Sequence, residues 1–243
     1  MIGSELPPCF PDGGERTERE RLARVYGEYA SDPHYQRIWS ANRASSFMIS
    51  RKWSVIAGLL KSAEIDLSRA RVLDLGAGEG GDCARFGDLG VQGDRLLALD
   101  ILEERAQRAR RNYSWFRFLV GDAARLPFRD SWFDVVYQST MLSSVLEADR
   151  RARIFAEVRR VLGRGGVFLS YDTRYPSPRN RNTRPLLPRE FAQAFRGWPI
   201  TLRSLTPLPQ LVRLVAPFSL SACRALEAIP PLRSHILALL RKP

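Results

Sequence analysis

The stretch that most limits what this chain can become is Val72 to Gly81, which reads Val-Leu-Asp-Leu-Gly-Ala-Gly-Glu-Gly-Gly. Its first four residues, apolar except for Asp74, make a run that suits a buried parallel strand, and the run stops at a glycine loop. A helical pattern opens at about residue 82. Strand, glycine turn and helix N-terminus bring backbone N–H groups to one point, and the glycines let a ligand approach without meeting a Cβ. Gly76, Gly78 and Gly81 also satisfy Gly-x-Gly-x-x-Gly, with an acid about 20 residues on at Asp100, as a dinucleotide fingerprint requires. Asp74 points elsewhere. An acid just before the first glycine opposes a pyrophosphate but suits a ligand that carries an ammonium and a sulfonium.

Around this stretch the chain alternates short apolar runs with helical patterns, the signature of a parallel doubly wound sheet. Strands are expected at 71–75, 95–100, 115–120, 133–138 and 166–172, with helices at 82–88, 102–112 and 147–162. The last helix carries Ile154, Val158, Val161 and Leu162 on one face, and Gly163, Gly165 and Gly166 should stop it. Ahead of the sheet, residues 1–14 read as a mobile leader and 15–65 as a helical cap, with helices at 15–30, 35–42 and 46–63. After Asp172 come a proline- and arginine-rich loop (174–188), a short helix (189–195), a strand (199–205), a proline-punctuated apolar stretch (207–231) and a final strand (232–241). The expected fold is α/β, a Rossmann-like, mostly parallel seven-stranded sheet with helices on both faces and an N-terminal helical cap.

Charge divides the chain unevenly. The net charge is +12. Residues 1–173 hold 26 basic and 24 acidic side chains, and residues 174–243 hold 12 basic and only 2 acidic ones, Glu190 and Glu227. Such asymmetry points to an acidic partner for the tail or its acceptor, or else is only solvated surface. Cys9, Cys83 and Cys223 lie far apart, which suggests neither a zinc site nor a disulfide framework and fits a reducing cytoplasm. No metal is expected. The first residues lack the apolar run of a secretory leader, and the apolar run 214–223 is too short to cross a bilayer.

Four further stations line up after the glycine loop. Asp100 ends the second strand, Gly121-Asp122-Ala123 follows the third, Phe133-Asp134-Val135-Val136-Tyr137-Gln138 forms the fourth, and Arg160 to Gly166 leads into the fifth. In this order and spacing, residues 71–172 resemble the class I S-adenosylmethionine-dependent methyltransferases, in the branch that holds small-molecule and quinone methyltransferases. Tyr171-Asp172-Thr173-Arg174, together with the closing Leu232 to His235 and Arg241 to Pro243, is similar to a bacterial subgroup often found with surface-polysaccharide genes. The sequence departs from the family at Gly163-Arg164, where Lys-Pro is commoner, a change confined to a turn.

The resemblance implies a methyltransferase domain over 66–243, with a cofactor half (71–172) and an acceptor-side, basic C-terminal part (173–243). It implies S-adenosylmethionine as cofactor. Gly76, Ala77 and Gly78 would lie against its methionine and ribose parts, and Asp74 would hold its amino group through the loop or a water. Asp100 would accept both ribose hydroxyls with Ile101 beside it. Asp122 would accept from the adenine amine, Ala123 N–H would donate to a ring nitrogen, and Gln138 would meet the methionine end. Asp134 reads as a turn acid and receives no catalytic role.

Methyl transfer to an acceptor is an in-line displacement whose leaving group is already good, so alignment and exclusion of water come first. A base is needed only for a hydroxyl of high pKa. Asp172, at the end of the fifth strand, and His34, in the cap, are the candidates for base or acceptor positioning, and His235 reads as structural. Ser143 and Ser144 are candidates for lining the acceptor site. The expected function is methylation, through oxygen, of a small-molecule, glycan or lipid-linked acceptor. The enzyme would be cytoplasmic, with a tail from Thr206 able to touch an anionic membrane or simply to pack on the sheet as two short helices. An RNA ribose methyltransferase is the main alternative; base methylation is disfavoured because Tyr137 to Thr140 lacks the Asn/Asp-Pro-Pro-aromatic run. A nicotinamide-dependent oxidoreductase would explain the glycines but leaves Gly121-Asp122-Ala123 without a role.

Overall fold

A computed structural model of the chain describes residues 13–33, 35, 36, 41–177 and 180–243. Most of the expected leader (residues 1–12), His34, and residues 37–40 of the expected second helix lie outside the described residues. In chain order the elements are α1 (Gly13–Ser31), α2 (Arg43–Ser62), β1 (Val72–Leu75), α3 (Gly81–Asp88), β2 (Leu96–Asp100), α4 (Glu103–Asn112), β3 (Arg117–Val120) and β4 (Phe133–Ser139). They continue with α5 (Ala148–Val161), β5 (Leu162–Thr173), α6 (Pro188–Ala194), β6 (Ile200–Pro207), α7 (Pro209–Val215), α8 (Leu220–Ala228) and β7 (Arg233–Arg241).

The strands form one seven-stranded sheet in the order β3-β2-β1-β4-β5-β7-β6. The first five run parallel, and β7 pairs antiparallel with both β5 and β6. The expected mostly parallel α/β sheet with helices on both faces is present. Successive side chains on a strand point to opposite faces, so each strand feeds two cores. Val72, Val135, Tyr137, Leu169 and Leu237 pack with Trp53, Ile56 and Leu60 of α2 and Phe86 of α3. Leu73, Leu75, Val136, Phe168 and Ala238 pack instead with Ile154, Phe155, Val158 and Val161 of α5 and Phe191 of α6.

One expected boundary needs correcting. The glycines at 163–166 do not form a gap between helix and strand, because α5 passes directly into β5 at Leu162. Gly165 takes a left-handed φ of 72°, its N–H donates to the Lys242 carbonyl at 2.9 Å, and Lys242 N–H donates to the Gly166 carbonyl at 2.9 Å. These glycines therefore serve the sheet, where their backbone meets the end of the chain. The apolar stretch 207–231 contains α7 and α8, the two short packed helices that are one of its two expected forms. Pro209 opens α7, where the missing N–H costs nothing, and the Ser219 hydroxyl caps α8 by accepting from Ala222 N–H. Val212, Ala216 and Cys223 then bury against Ala44 and Phe47 of α2.

Candidate cofactor site

The glycine loop is bent by left-handed residues, with φ of 69° at Gly76 and 59° at Gly78, a region that carries no penalty only for glycine. Gly76 and Ala77 N–H groups donate to the Leu99 carbonyl at 2.7 and 3.0 Å, which fixes the loop to the end of β2. Asp100 closes the corner. Its Oδ2 accepts from Gly78 N–H at 2.8 Å and its Oδ1 from Leu102 N–H at 2.9 Å. Each oxygen keeps a lone pair, enough for two further donors such as a pair of hydroxyls.

A cavity lies at the carboxyl ends of β1, β2 and β4, the edge where open α/β sheets bind ligands. Of the residues expected to hold a cofactor, Gly76, Asp100, Ile101, Asp122 and Ala123 line it. Asp122 is buried and paired with the equally buried Arg150, while its Oδ1 accepts from Ala124 N–H at 2.9 Å. One acceptor position per oxygen remains there too. Glycines that bring backbone to the surface, a carboxylate poised for two hydroxyls and a second carboxylate able to take an amine together fit an adenosine-bearing ligand.

The chain's own side chains fill part of this space. A Cβ on Gly78 would meet the Arg105 guanidinium at 2.3 Å, and one on Gly76 would meet the Met141 side chain at 2.4 Å. Arg105 stands 3.8 Å from Asp100 and lies 4.4 Å over the Tyr26 ring. Tyr26, Leu22 and Glu18 put one face of α1 across the cavity. Helix α1 is held there by Arg21, which donates to the Ser144 carbonyl at 2.6 Å, and by Tyr29, whose hydroxyl donates to Asn180 Oδ1 at 2.9 Å. The cavity as it stands is about 100 Å³. Ligand sites usually hold roughly 300–1,000 Å³. Arg105 and Met141 must therefore withdraw before a ligand of cofactor size fits.

Asp74, Ala77, Gly78, Gln138 and Asp172 do not line the cavity, Gly78 being covered by the Arg105 guanidinium. Strand alternation supplies the reason for three of them. Gln138, Ser170 and Asp172 point to the α5 face, where Gln138 Nε2 donates to Ser170 Oγ at 2.5 Å and to Asp172 Oδ2 at 3.2 Å. Asp172 also accepts from Ser143 N–H at 3.0 Å and Thr173 N–H at 2.7 Å, and Gln138 Oε1 accepts from Met141 N–H at 2.9 Å. Burial pushes the Asp172 carboxyl up against these stabilising bonds. Both side chains brace the turn after β4 through the Met141, Leu142 and Ser143 N–H groups. Asp74 faces α3, buried against Cys83 Sγ at 3.2 Å, and burial followed by the nearby Asp82 raises its carboxyl well above the usual range.

Beyond Ser139, which lines the cavity, a second polar cluster occupies the α2 face. Lys52 Nζ, in α2, donates to both Asp82 oxygens at 2.7 and 2.8 Å and lies 3.4 Å from Ser139 Oγ. Asp82 also accepts from Trp53 Nε1 at 3.1 Å and from the Tyr137 hydroxyl at 2.8 Å. Burial alone would raise Asp82, but Lys52 and these donors outweigh it and the net direction is down. His235 stacks on Tyr171 at 4.7 Å, and burial and Lys52 push it down to about 4, so it stays neutral near pH 7. Sequence patterns did not point to Arg105, Met141, Arg150 or Lys52; only the face of α1 through Leu22 and Tyr26 was visible, as an apolar stripe whose partner was unknown. Among the described residues no group of three or more metal-ligating side chains is gathered, and no helix is long and apolar enough to cross a membrane.

Comparison with known proteins agrees with this geometry. The family profile described as a methyltransferase domain matches residues 73–170. The malonyl-[acyl-carrier protein] O-methyltransferase of Geobacter sulfurreducens is 36% identical over 102 residues, covering 41% of this chain and 37% of that protein. The demethylmenaquinone methyltransferase of Thermotoga maritima is 32% identical over 126 residues, 51% of this chain and 52% of that one. The chain thus spans about half or less of the length of these curated relatives. Among solved structures, an S-adenosylmethionine-dependent methyltransferase from Mesorhizobium loti has the same fold, with a TM-score of 0.55 at 19% identity over 76% of this chain and 96% of that one. Residues 73–170 thus match a methyltransferase domain, and the sheet around them has the fold of an S-adenosylmethionine-dependent methyltransferase.

Proposed function

We propose that the protein methylates an oxygen of a small-molecule, glycan or lipid-linked acceptor by direct in-line transfer. The observation that carries this is the corner formed by Gly76, Gly78 and Asp100, faced across the cavity by Asp122. S-adenosylmethionine supplies the methyl group on a sulfonium, so the protein has mainly to align and to exclude water. Asp100 accepts from the ribose hydroxyls, Asp122 and Ala123 meet the adenine, and Gly76 leaves room for the methionine part. Helix α1 with Tyr26 shuts water out. Ser139 and Thr140 stand where β4 ends and face the acceptor side, next to the Lys52–Asp82 salt bridge. The choice of oxygen is supported by the likeness of the cofactor half to an O-methyltransferase. Calorimetry with S-adenosylhomocysteine tests the site. Asp100→Ala should weaken binding by about 1.5–3 kcal/mol, since charge-assisted bonds to two hydroxyls go with it. Affinity equal to wild type in both Asp100→Ala and Gly78→Val would overturn the assignment.

We further infer that the enzyme works, on the cytoplasmic side, against an anionic membrane. The last turn of α7 holds Leu214 at 67% exposure and the turn between α7 and α8 holds Phe218 at 86%, with Leu220 and Ile229 also exposed. The bases nearby in the chain are Arg213 and Arg224, and Arg43 reaches the turn by donating to the Pro217 carbonyl at 2.8 Å. Exposed apolar groups with arginines near them in the chain suit the boundary between headgroup and acyl chain, and each base near such a leaflet is worth about 1 kcal/mol and fades with salt. Co-sedimentation should show binding to anionic but not neutral vesicles at low salt, lost in Phe218→Asp. Equal binding to both vesicle types removes the membrane from the proposal.

A further inference from the structure

The end of the sheet opposite the cofactor cavity carries a second cavity, of about 450 Å³, within the usual range for ligand sites. It opens at the amino ends of β1 to β4. Arg71 precedes β1, Arg117 is the first residue of β3 and Phe133 the first of β4, while Arg95 and Leu97 flank the start of β2. Leu97, Leu119, Phe128 and Phe133 give it an apolar floor, and Arg71, Arg95, Arg117 and Arg129 stand around it.

These arginines are poorly matched by acids. Among the described residues Arg95, Arg117 and Arg129 form no ion pair, and Arg71 has only Asp134 at 3.7 Å. Asp94 is the one acid in the lining. Four guanidiniums against Asp94 and Asp134 leave a surplus of two positive charges. Arg95 is bound at one end only: one of its terminal nitrogens donates to the Arg69 carbonyl at 2.6 Å, but its buried Nε bonds to nothing. Its turn is fixed by packing, since a Cβ on Gly93 would stand 1.7 Å from the Trp115 carbonyl. Trp132 holds two more of the set, with the Arg129 guanidinium 3.8 Å and that of Arg71 5.0 Å from its ring centre. Guanidiniums already ordered by a ring lose less freedom when they bind.

We propose that this cavity is a ligand site for an organic phosphate monoester with a compact apolar body. The guanidinium fork matches phosphate oxygens bidentately, and the surplus of two charges matches a phosphate monoester, which carries about −1.5 to −2 near pH 7. The apolar floor takes the rest of the ligand. The site stands apart from the cofactor cavity, at the other end of the same strands, and its occupancy does not depend on the methyl-transfer chemistry.

The test is titration of the full chain with phenyl phosphate, benzoate and phenol at low salt, with and without saturating S-adenosylhomocysteine. Phenyl phosphate should bind one to one, at least tenfold tighter than benzoate or phenol, and equally well in both conditions. Arg117→Gln and Arg129→Gln, both at exposed positions, should each weaken it at least fivefold while the melting temperature stays at the wild-type value. Benzoate or phenol binding as tightly as phenyl phosphate overturns the ligand class. Displacement by S-adenosylhomocysteine, or wild-type affinity in both variants, overturns the site. Because the two ligands are read separately, a failure at the cofactor cavity leaves this result intact.

Discussion

The two ends of the central strands use arginine in opposite ways. At the carboxyl end each arginine beside the cavity has a carboxylate, Arg150 with Asp122 and Arg105 with Asp100. The acids there are built in at strand ends, and the cations arrive from helices to neutralise them. At the amino end the arginines outnumber the acids, and the guanidiniums of Arg71, Arg95 and Arg129 are held by the Trp132 ring or a backbone carbonyl. The first arrangement suits a ligand that brings hydrogen-bond donors, such as hydroxyls and an amine. The second suits a ligand that brings negative charge. Residue type alone does not distinguish an arginine that completes a fold from one that awaits a partner; the carboxylate opposite it does.

The sharpest way to break this comparison is to remove one arginine from each end. Arg150→Leu leaves Asp122 buried and unpaired and should cost about 3–5 kcal/mol of stability, because an uncompensated buried charge is far dearer than a lost contact. Arg117→Leu at the other end should change stability by less than about 0.5 kcal/mol, as surface substitutions usually do. Denaturant titration of the two variants reads the difference, and Asp122→Asn with Arg150→Leu should recover most of the loss. Equal costs in the two single variants would mean that both ends are structural.

A smaller effect sharpens the cofactor side. Arg105 pairs with Asp100 over a long 3.8 Å and must leave for a ligand to lie on Gly78. The partly exposed pair and its contact with Tyr26 together hold about 1 kcal/mol, so Arg105→Ala should tighten S-adenosylhomocysteine binding about fivefold. Calorimetry decides it. Weaker binding would show that Arg105 grips the ligand and does not merely occupy its place.

The cofactor half was legible because its signals are local. Val72 to Leu75, Leu96 to Asp100 and Phe133 to Ser139 are near-continuous apolar runs, and the glycines at 76 and 78 have no other economical use than a left-handed turn. Asp100, Ile101, Asp122 and Ala123 follow their strands directly, so placing the strand places the residue. Asp172 and Gln138 show where such reasoning stops. Both sit at the correct edge of the sheet, yet period two turns them to the α5 face, and an offset of one residue decides between bracing a turn and meeting a ligand.

The C-terminal part was less legible for a related reason. Its prolines and apolar residues allow either two short packed helices or a membrane contact, and α2 offers Ala44 and Phe47 as a surface for Val212 and Cys223. By itself, then, the sequence determined the parallel sheet, the glycine corner and the acids at strand ends, all of which depend on residues within a few positions of one another. Only the tertiary structure decided which arginines meet those acids, what α1 covers and where unmatched charge collects. Arg150 is 28 residues from Asp122, and Arg71, Arg95, Arg117 and Arg129 come together because four parallel strands begin at one edge. Contacts at that separation carry no periodic signal in the chain; they exist only once the sheet has set the strands side by side.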